Sequence, residues 1–333
     1  MVQVDTKDMR SMVSAFPNLL TEISITPHVW KTCEKLREGR IDGICIIGMG
    51  GSSISGLYVQ SLLQDSVSIP IINVRETSIP SYIQKDWLVI AVSYSGNTFE
   101  TIRSLQEALK RKCKSFVITS GGKLHSIKGV NEEVTLPSSY QPRAALPLIF
   151  SALLNLVEIL TMHRPTDFTN VSEKLSDKVA NWEMSEFSPK SMAADLLGYI
   201  PVFIGSQHLV PVAYRAKSQI NENAKAMAFS SELPEANHNE IESFNSSNLD
   251  SVIPVFLRSS YETDSMRKST DNLMQIYEEE GFPLLKLAIR SDSKIEEMLM
   301  FTFYLDLVSI ELAELRGVNP LSVDKITKLK SMQ

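Results

Sequence analysis

An apolar run that passes directly into a loop of hydroxyl side chains constrains the fold of this chain more than any other feature. The run Trp87-Leu-Val-Ile-Ala-Val92 is followed by Ser93-Tyr-Ser-Gly-Asn-Thr98, and a helix-compatible segment begins there. Because a strand buried on both faces is continuously apolar, the run predicts a strand of a parallel sheet. Gly96 permits a tight turn, and the unpaired N–H groups of the next helix attract an anion. We therefore expect the hydroxyls of this loop to bind phosphate.

A second loop of the same kind lies upstream. Ile44-Cys-Ile-Ile47 is followed by Gly48-Met-Gly-Gly-Ser-Ser-Ile-Ser-Gly56, so glycines again separate an apolar strand from a helix. The spacing differs from the dinucleotide fingerprint G-x-G-x-x-G, because Ser53 stands where the third glycine belongs. Two such loops in one sheet predict one shared ligand, although a glycine loop after a strand also occurs as a plain turn.

Strands alternate with helices twice along the chain. The first set of predicted strands is 43–48, 70–74, 88–92, 115–119 and 132–136, with helices near 53–64, 98–112 and 143–162. The second set has strands at 200–205, 252–257 and 285–289, a helix to about Met227, and helices at 262–280 and 294–316. This predicts an α/β protein with two subdomains, each a parallel β-sheet flanked by helices in doubly wound, flavodoxin-like order. We place the domains at residues 1–165 and 166–333.

Composition indicates a folded protein rather than a disordered, secreted or membrane protein. Hydrophobic residues make up 43% of the 333 residues and charged residues 22%, which leaves no room for a large disordered region. The net charge of −6 argues against a nucleic-acid partner. Cys33, Cys45 and Cys113 lack disulfide or metal spacing, so we expect buried, reduced thiols. No signal sequence is present and the most hydrophobic stretch, 144–160, contains Glu158, so we expect a cytoplasmic protein with no membrane partner.

The hydroxyl loop is similar to the phosphosugar loop Ser-x-Ser-Gly-x-Thr of the sugar isomerase (SIS) fold. Together with four further motifs it resembles the bifunctional phosphoglucose/phosphomannose isomerases. Those motifs are Gly48-Met-Gly-Gly-Ser52, Pro142-Arg143, Asn221-Glu-Asn223 and Asn237-His-Asn-Glu240. The resemblance covers nearly the whole chain, and the combination of motifs is far more specific than the hydroxyl loop alone.

The resemblance implies an aldose–ketose isomerase that interconverts glucose 6-phosphate and mannose 6-phosphate with fructose 6-phosphate. The reaction would pass through ring opening and a cis-enediolate, without cofactor or metal, in a homodimer. The residues that the resemblance places at the sugar phosphate are Gly50, Gly51, Ser52, Ser93, Ser95 and Thr98. Arg143 would face the sugar, and Glu222 would move a proton between C2 and C1. His238 would open the sugar ring, and Lys330 would assist at the ring oxygen.

One position departs from this pattern. Val323 precedes the C-terminal helix, where relatives with mannose activity often have a Thr that is thought to position a water. A methyl group cannot hold that water, so we expect mannose 6-phosphate to react more slowly than glucose 6-phosphate.

Pattern alone also allows simpler interpretations. The hydroxyl loop could be a helix N-cap, although a cap needs one hydroxyl and this loop has three. The apolar stripe of the Glu222 helix leaves Glu222 on a solvated face with Arg215 and Gln219. There Lys225 would offer a weak surface ion pair to Glu222.

His238 and Lys330 have plain alternatives as well. His238 lies in a polar loop typical of an exposed histidine, and no second histidine stands at metal-ligand spacing, so we expect no metal there. Lys330 simply suits the negative end of a helix dipole.

Two other functions remain open at this point. A non-catalytic sugar-phosphate sensor would keep the hydroxyl loop, but residues 1–40 contain no convincing DNA-binding helix-turn-helix. The amidotransferase that forms glucosamine 6-phosphate has two copies of this fold, but it needs a glutaminase domain with an N-terminal Cys, and residue 2 is Val.

Overall fold

The computed structural model describes residues 8–162, 164–183, 187–244 and 251–332. They form two compact units, the first being Ala15–Lys174 and the second residues 8–14 with 175–332. The short helix α1 (Met9–Ser14) therefore belongs to the second unit, whereas the sequence placed it in the first domain. The helix packs against the C-terminal part of that unit and buries Met9, Met12 and Val13. The guanidinium of Arg10 also lies 2.8 Å from both Glu311 and Glu314.

The first unit is built on five parallel strands. They are β1 (Gly43–Ile47), β2 (Ile71–Val74), β3 (Trp87–Ser93), β4 (Lys114–Thr119) and β5 (Glu132–Thr135). Their order across the sheet is β2-β1-β3-β4-β5. All residues of β1 and β3 are buried, as the two apolar runs predict. Ile47 lies opposite Ala91, so the loops that follow these two strands begin side by side.

Helices surround this sheet. They are α2 (Phe16–Leu19), α3 (Pro27–Arg37), α4 (Gly51–Leu63), α5 (Phe99–Lys110), α6 (Gly122–His125) and α7 (Leu146–Thr161). Helix α7 is buried along nearly its whole length and packs against α3 and α4. Its one carboxylate, Glu158, is also buried, and it accepts hydrogen bonds from the backbone N (2.7 Å) and the hydroxyl (2.9 Å) of Thr166. The next helix, α8 (Thr169–Glu183), contains the division between the units.

The second unit has four parallel strands in the order β7-β6-β8-β9. They are β6 (Ile200–Ser206), β7 (Phe229–Leu233), β8 (Val252–Arg258) and β9 (Leu285–Ala288). Its helices are α9 (Pro189–Leu196), α10 (Val210–Asn223), α11 (Asp264–Glu279), α12 (Lys294–Leu315) and α13 (Asp324–Ser331). Three single turns of 3-10 helix, Gln207–Leu209, Glu235–His238 and Glu240–Ser243, complete it.

Both sheets are wound alike, which confirms the predicted doubly wound α/β class. In each one the second strand lies on one side of the first and the third strand lies on the other. The direction in which the chain adds strands across the sheet therefore reverses between β1 and β3, and again between β6 and β8. We call each of these places a reversal point. Ligands of such open sheets bind at this reversal, outside the carboxyl ends of the strands.

The three cysteines, Cys33, Cys45 and Cys113, are free and buried, as predicted. Burial raises the pKa of the Cys33 and Cys45 thiols to about 12. Among the described residues, no helix combines the length and the apolar character that crossing a membrane requires.

Candidate functional site

The glycine loop leaves open space at the first reversal point. Gly50 caps the N-terminus of α4 with a φ of 54°, a conformation that favours glycine. A Cβ built on Gly50 would meet no described atom within 4 Å, so the backbone there can be approached closely. Ser52, one residue into the helix, is buried, and its backbone N donates to the carbonyl of Met49 at 3.2 Å.

The hydroxyl loop is not a simple helix cap. Thr98 is the N-cap residue of α5, yet within the described segments its side chain accepts no capping hydrogen bond from that helix. Its hydroxyl instead lies 2.9 Å from the Ser93 hydroxyl at the end of β3. Ser95 is exposed, and its Oγ accepts a hydrogen bond from the backbone N of Asn97 at 3.3 Å. Thr98 therefore occupies the N-cap position, but among the described residues none of these three hydroxyls makes a capping hydrogen bond to α5.

Gly96 fixes this loop against the neighbouring one. Its φ is 64°, and an added Cβ would lie 1.7 Å from the carbonyl oxygen of Gly121. The backbone N of Leu124 donates to the Gly96 carbonyl at 2.9 Å, and that of Lys123 donates to Asn97 Oδ1 at 3.1 Å. The loop is thus held on both sides of its turn, so its hydroxyls have a fixed position.

Arg143 lies next to the glycine loop, and the segment that precedes it is bound to the hydroxyl loop. It is buried, and its Cα lies 3.9 Å from the position of a Cβ added to Gly51. Tyr94, between two of the loop hydroxyls, donates from its phenol to the carbonyl of Pro137 at 2.6 Å. The same phenol oxygen accepts from the backbone N of Tyr140 at 3.1 Å. The segment that leads to Arg143 is therefore tied to the hydroxyl loop.

Sequence reasoning gave Tyr94 no role. The signal available in the sequence was an aromatic residue in the middle of a loop of Ser, Gly, Asn and Thr. Such a loop has no apolar face of its own, so an aromatic side chain in it indicates packing against another segment. Burial raises the pKa of the Tyr94 phenol to about 12, so the phenol stays a hydrogen-bond donor even in moderately alkaline solution.

In the second unit, Glu222 is half-buried and is the penultimate residue of α10. The helix ends at Asn223 rather than near Met227, because Lys225 takes a left-handed φ of 53°. The predicted Glu222–Lys225 ion pair does not form. Lys225 Nζ donates instead to the backbone carbonyl of Glu222 at 2.5 Å and to that of Ser322 at 2.7 Å. The end of α10 is thereby tied to the turn that precedes α13.

The solvated face predicted around Glu222 is also wrong. Arg215 is only 2% exposed and Gln219 only 1%, because both residues face α12 rather than solvent. The Arg215 guanidinium donates to both carboxylate oxygens of Asp306, at 3.0 and 2.5 Å. One turn beyond Gln219, the Asn223 amide donates to the hydroxyl of Ser309 at 2.9 Å. The helix that carries Glu222 is therefore anchored by a buried polar stripe.

His238 and Lys330 are exposed. His238 ends the 3-10 turn Glu235–His238, and Lys330 lies in the last turn of α13. Within the described part of the chain, no hydrogen bond or ion pair joins either of them to Glu222. The structure therefore brings the glycine loop close to Arg143. In the part of the chain that is described, no hydrogen bond or ion pair links His238, Lys330 and Glu222.

Comparison with known proteins supports the assignment that these motifs suggested. Residues 40–134 match the SIS domain family, and residues 186–332 match the bacterial phospho-glucose isomerase C-terminal SIS domain. The bifunctional phosphoglucose/phosphomannose isomerase of Aquifex aeolicus is 33% identical over 295 residues, which is 86% of this chain and 89% of that protein. This chain belongs to the bifunctional phosphoglucose/phosphomannose isomerase family. As a member of it, the chain is an isomerase.

Two further proteins are similar to this phosphoglucose/phosphomannose isomerase family member. The D-glucosamine-6-phosphate 4-epimerase of Sulfolobus acidocaldarius is 36% identical over 248 residues, or 73% of this chain and 74% of that protein. The crystal structure of tagatose-6-phosphate ketose/aldose isomerase from Escherichia coli superimposes with a TM-score of 0.76 at 16% identity, covering 97% of this chain and 98% of that one. The second match concerns the fold alone.

Proposed function

We propose that this aldose–ketose isomerase interconverts glucose 6-phosphate and mannose 6-phosphate with fructose 6-phosphate. The observation that carries the proposal is the Ser93–Thr98 hydroxyl pair, which lies at the reversal point of the first sheet and does not cap the helix. Gly50, Gly51 and Ser52 lie in the loop after the neighbouring strand β1, and Ser95 lies in the hydroxyl loop itself. We assign all four residues to the same phosphate site. Phosphate binding there uses backbone N–H groups and the positive end of a helix dipole.

The chemistry is assigned to charged groups on other elements. Arg143 stabilises the negative charge of the cis-enediolate, for which a guanidinium in a buried position is well suited. Glu222 carries the proton between C2 and C1, and its place on an anchored helix gives the carboxylate a defined position. His238 opens the sugar ring, and Lys330 assists at the ring oxygen.

The proposal includes the cellular location and the oligomeric state of the enzyme. The enzyme acts in the cytoplasm as a homodimer, in which His238 serves the neighbouring copy. Supporting this, His238 is exposed, and among the described residues no hydrogen bond or ion pair joins it to Glu222 of its own chain. Val323 is the N-cap residue of α13, and its side chain makes no capping hydrogen bond within the described residues. We assign to it slower turnover of mannose 6-phosphate than of glucose 6-phosphate.

Solvent exchange tests the proton transfer directly. The Glu222→Gln variant keeps the shape of the side chain but removes the base, so turnover should fall by about 100-fold or more while sugar phosphate still binds. Exchange of the C2 proton of glucose 6-phosphate in deuterated water, followed by NMR, should stop as well. Glu278→Gln on the exposed face of α11 is the matched control. Normal exchange in Glu222→Gln would assign the base to another residue.

A second candidate function is C4 epimerisation of D-glucosamine 6-phosphate. It is favoured by the 36% identity to the Sulfolobus acidocaldarius epimerase, although that match covers less of the chain than the match to the Aquifex aeolicus isomerase. NMR of the wild-type enzyme with glucosamine 6-phosphate and, separately, with glucose 6-phosphate distinguishes the two. Inversion at C4 without formation of fructose 6-phosphate would replace the first proposal.

A further inference from the structure

The second sheet has a counterpart of the hydroxyl loop. In the first sheet, the N-cap residue Thr98 stands five residues after the last residue of β3, Ser93. In the second sheet, the N-cap residue of α11, Thr263, stands five residues after the last residue of β8, Arg258. Both loops follow the third strand of a sheet with the same winding, so they occupy equivalent places.

The side chains of the second loop form hydrogen bonds within the protein and are not free to bind a ligand. Thr263 accepts a hydrogen bond from the backbone N of Met266 at 3.2 Å and therefore caps its helix, which Thr98 does not do. Glu262 accepts two hydrogen bonds of 2.9 Å from the guanidinium of Arg258. The hydroxyl and the charges of this loop are thus used within the protein.

A carboxylate of the chain occupies the middle of this arrangement. Glu297, in the first turn of α12, is fully buried. Its Oε2 accepts a hydrogen bond from the Ser259 hydroxyl at 2.5 Å, and its Oε1 accepts one from the backbone N of Ser260 at 2.7 Å. The Nε2 of His208, from the turn after β6, lies 2.8 Å from Oε2. Donors from the loops after both central strands therefore converge on one carboxylate.

The charge state of this carboxylate follows from its contacts. Burial raises the pKa of Glu297, but the hydrogen bonds with His208, Ser259 and Ser260 outweigh burial and hold the pKa below its ordinary value. An ionised carboxylate is buried only where such partners surround it. Glu297 is thus an anion at neutral pH.

The end of β6 and the turn after it contain buried polar atoms that lack a hydrogen-bond partner among the described residues. The Ser206 hydroxyl and the Nδ1 of His208 are buried, and neither has a hydrogen-bond partner in the described residues. Buried polar groups are normally paired, so two such atoms only two residues apart are unusual. They lie in the loop that corresponds to the glycine loop of the first sheet.

We propose that the Glu297 carboxylate is an internal anion that fills the ligand position of the second sheet. The chain then has one open anion site, in the first sheet, and one that its own side chain occupies. Replacing Glu297 with Ala removes the carboxylate but leaves its donors, which creates a binding site for a small carboxylate such as formate or acetate. The comparison with the first sheet rests on the proposed phosphate site, whereas the contacts of Glu297 do not.

Thermal unfolding in added salts tests this inference. Glu297→Ala should unfold at a lower temperature than wild type, and sodium acetate should raise its Tm by about 3–6 °C more than equimolar sodium chloride does. Wild type and Glu297→Gln, whose side chain still fills the site, should show no such difference. Adding Ser259→Ala to Glu297→Ala should weaken the acetate effect. Equal effects of acetate and chloride on Glu297→Ala would overturn the proposal.

Two measurements cover a variant that does not fold. Refolding of Glu297→Ala from urea should give a higher yield in acetate than in chloride, and equal yields would overturn the proposal. In wild type, calorimetric titration with inorganic phosphate should show one site per chain. Two sites would overturn the internal-anion assignment. No binding at all would instead count against the phosphate site of the proposed function and leave the acetate result to decide this one.

Discussion

The Ser93 and Thr98 hydroxyls are the residues on which the phosphate assignment depends most. An N-cap threonine normally accepts from a backbone N–H of the first helical turn. Here the Thr98 hydroxyl pairs with Ser93 instead, at 2.9 Å, so it does not occupy the first N–H groups of α5. Those groups and the two hydroxyls can then all serve one bound anion.

We predict that Thr98→Val weakens substrate binding without unfolding the protein. Valine keeps the shape of the side chain but removes a hydroxyl, and loss of a hydrogen bond to a charged group costs about 1.5–3 kcal/mol. That corresponds to a fall in kcat/KM of about 10- to 100-fold, mainly through KM. Ser66→Ala, at the far end of α4, removes a hydroxyl from the same unit and should leave kinetics unchanged. Wild-type kinetics in Thr98→Val would remove the phosphate site from this loop.

Tyr94→Phe should destabilise the first unit and slow catalysis. The substitution leaves the carbonyl of Pro137 and the N–H of Tyr140 without their partner, at a cost of about 1–3 kcal/mol in the free energy of unfolding. It also releases the segment that leads to Arg143, so kcat should fall. Urea unfolding and steady-state kinetics measure both effects, with the exposed Tyr82→Phe as control. Lower stability with unchanged kcat would limit Tyr94 to a structural role.

The same variant carries a pH signature. Burial raises the pKa of Tyr94 from an ordinary value of 10.0 to about 12. Since the folded protein holds this proton more tightly than the unfolded chain does, the stabilisation is complete below pH 10 and is lost as the pH rises towards 12. The free energy of unfolding of Tyr94→Phe should therefore decrease less than that of wild type across this window. If the free energies of unfolding of the two proteins decrease in parallel between pH 10 and pH 12, the raised pKa of Tyr94 is contradicted.

At the scale of elements, helix α10 shows why the environment of Glu222 was mispredicted. Its apolar stripe identified one buried face, and every other face was taken as solvated. In the structure a second face packs on α12, where Arg215 and Asn223 bind Asp306 and Ser309. The signal lay in the sequence of α12, in which Asp306 and Ser309 interrupt a nearly continuous apolar run. Sequence alone does not show which helix supplies the partners.

Lys225 connects two elements that the proposed chemistry uses. Its ammonium bridges the carbonyls of Glu222 and Ser322, and so fixes the end of α10 relative to the turn before α13. We predict that Lys225→Met lowers kcat by about 10-fold with little change in KM, because a small displacement of a catalytic group is costly. Lys225→Arg should restore part of the activity. The exposed Lys328→Met is the control, and a loss of Tm without loss of kcat would make Lys225 only a helix cap.

At the scale of the whole molecule, most of the strand framework could be predicted from sequence. The five strands of the first sheet and β6, β8 and β9 lie where the sequence predicts them. The signal is strongest in the central strands β1, β3, β6 and β8, which are buried along nearly their whole length and are therefore almost continuously apolar. Strand β7 was missed. Its sequence, Phe229-Ser-Ser-Glu-Leu233, is mixed because it is an edge strand, in which only Ser231 and Leu233 are buried.

The candidate site was predictable only in part, for a different reason. The hydroxyls and glycines are adjacent in sequence, so a local motif revealed them. Contacts between distant segments leave no local pattern, and the anchoring of Tyr94 to Pro137 and the convergence of donors on Glu297 are of this kind. The alternation of strands and helices predicts two sheets of the same kind. Only the contacts between distant segments show how the two sheets differ.

Substrate should therefore protect only one of the two equivalent loops. We predict that fructose 6-phosphate slows amide hydrogen exchange in residues 48–52 and 93–98, because an anion bound there accepts hydrogen bonds from their N–H groups. Residues 259–263, already bound to Glu297 and Glu262, should exchange at the same rate with and without substrate. Hydrogen-exchange mass spectrometry measures both segments in one experiment. Protection of 259–263 alone would reverse the assignment of the open and filled positions.

The burial of all three cysteines has a practical consequence. Maleimide dyes react with the thiolate, and burial holds the pKa of Cys33 and Cys45 near 12 while also raising that of Cys113. We therefore expect none of the native thiols to compete for such a dye in the folded enzyme. A single cysteine introduced on the surface, for instance at Ser66, will therefore carry a fluorophore on its own, and the wild-type background can serve unaltered for single-molecule spectroscopy.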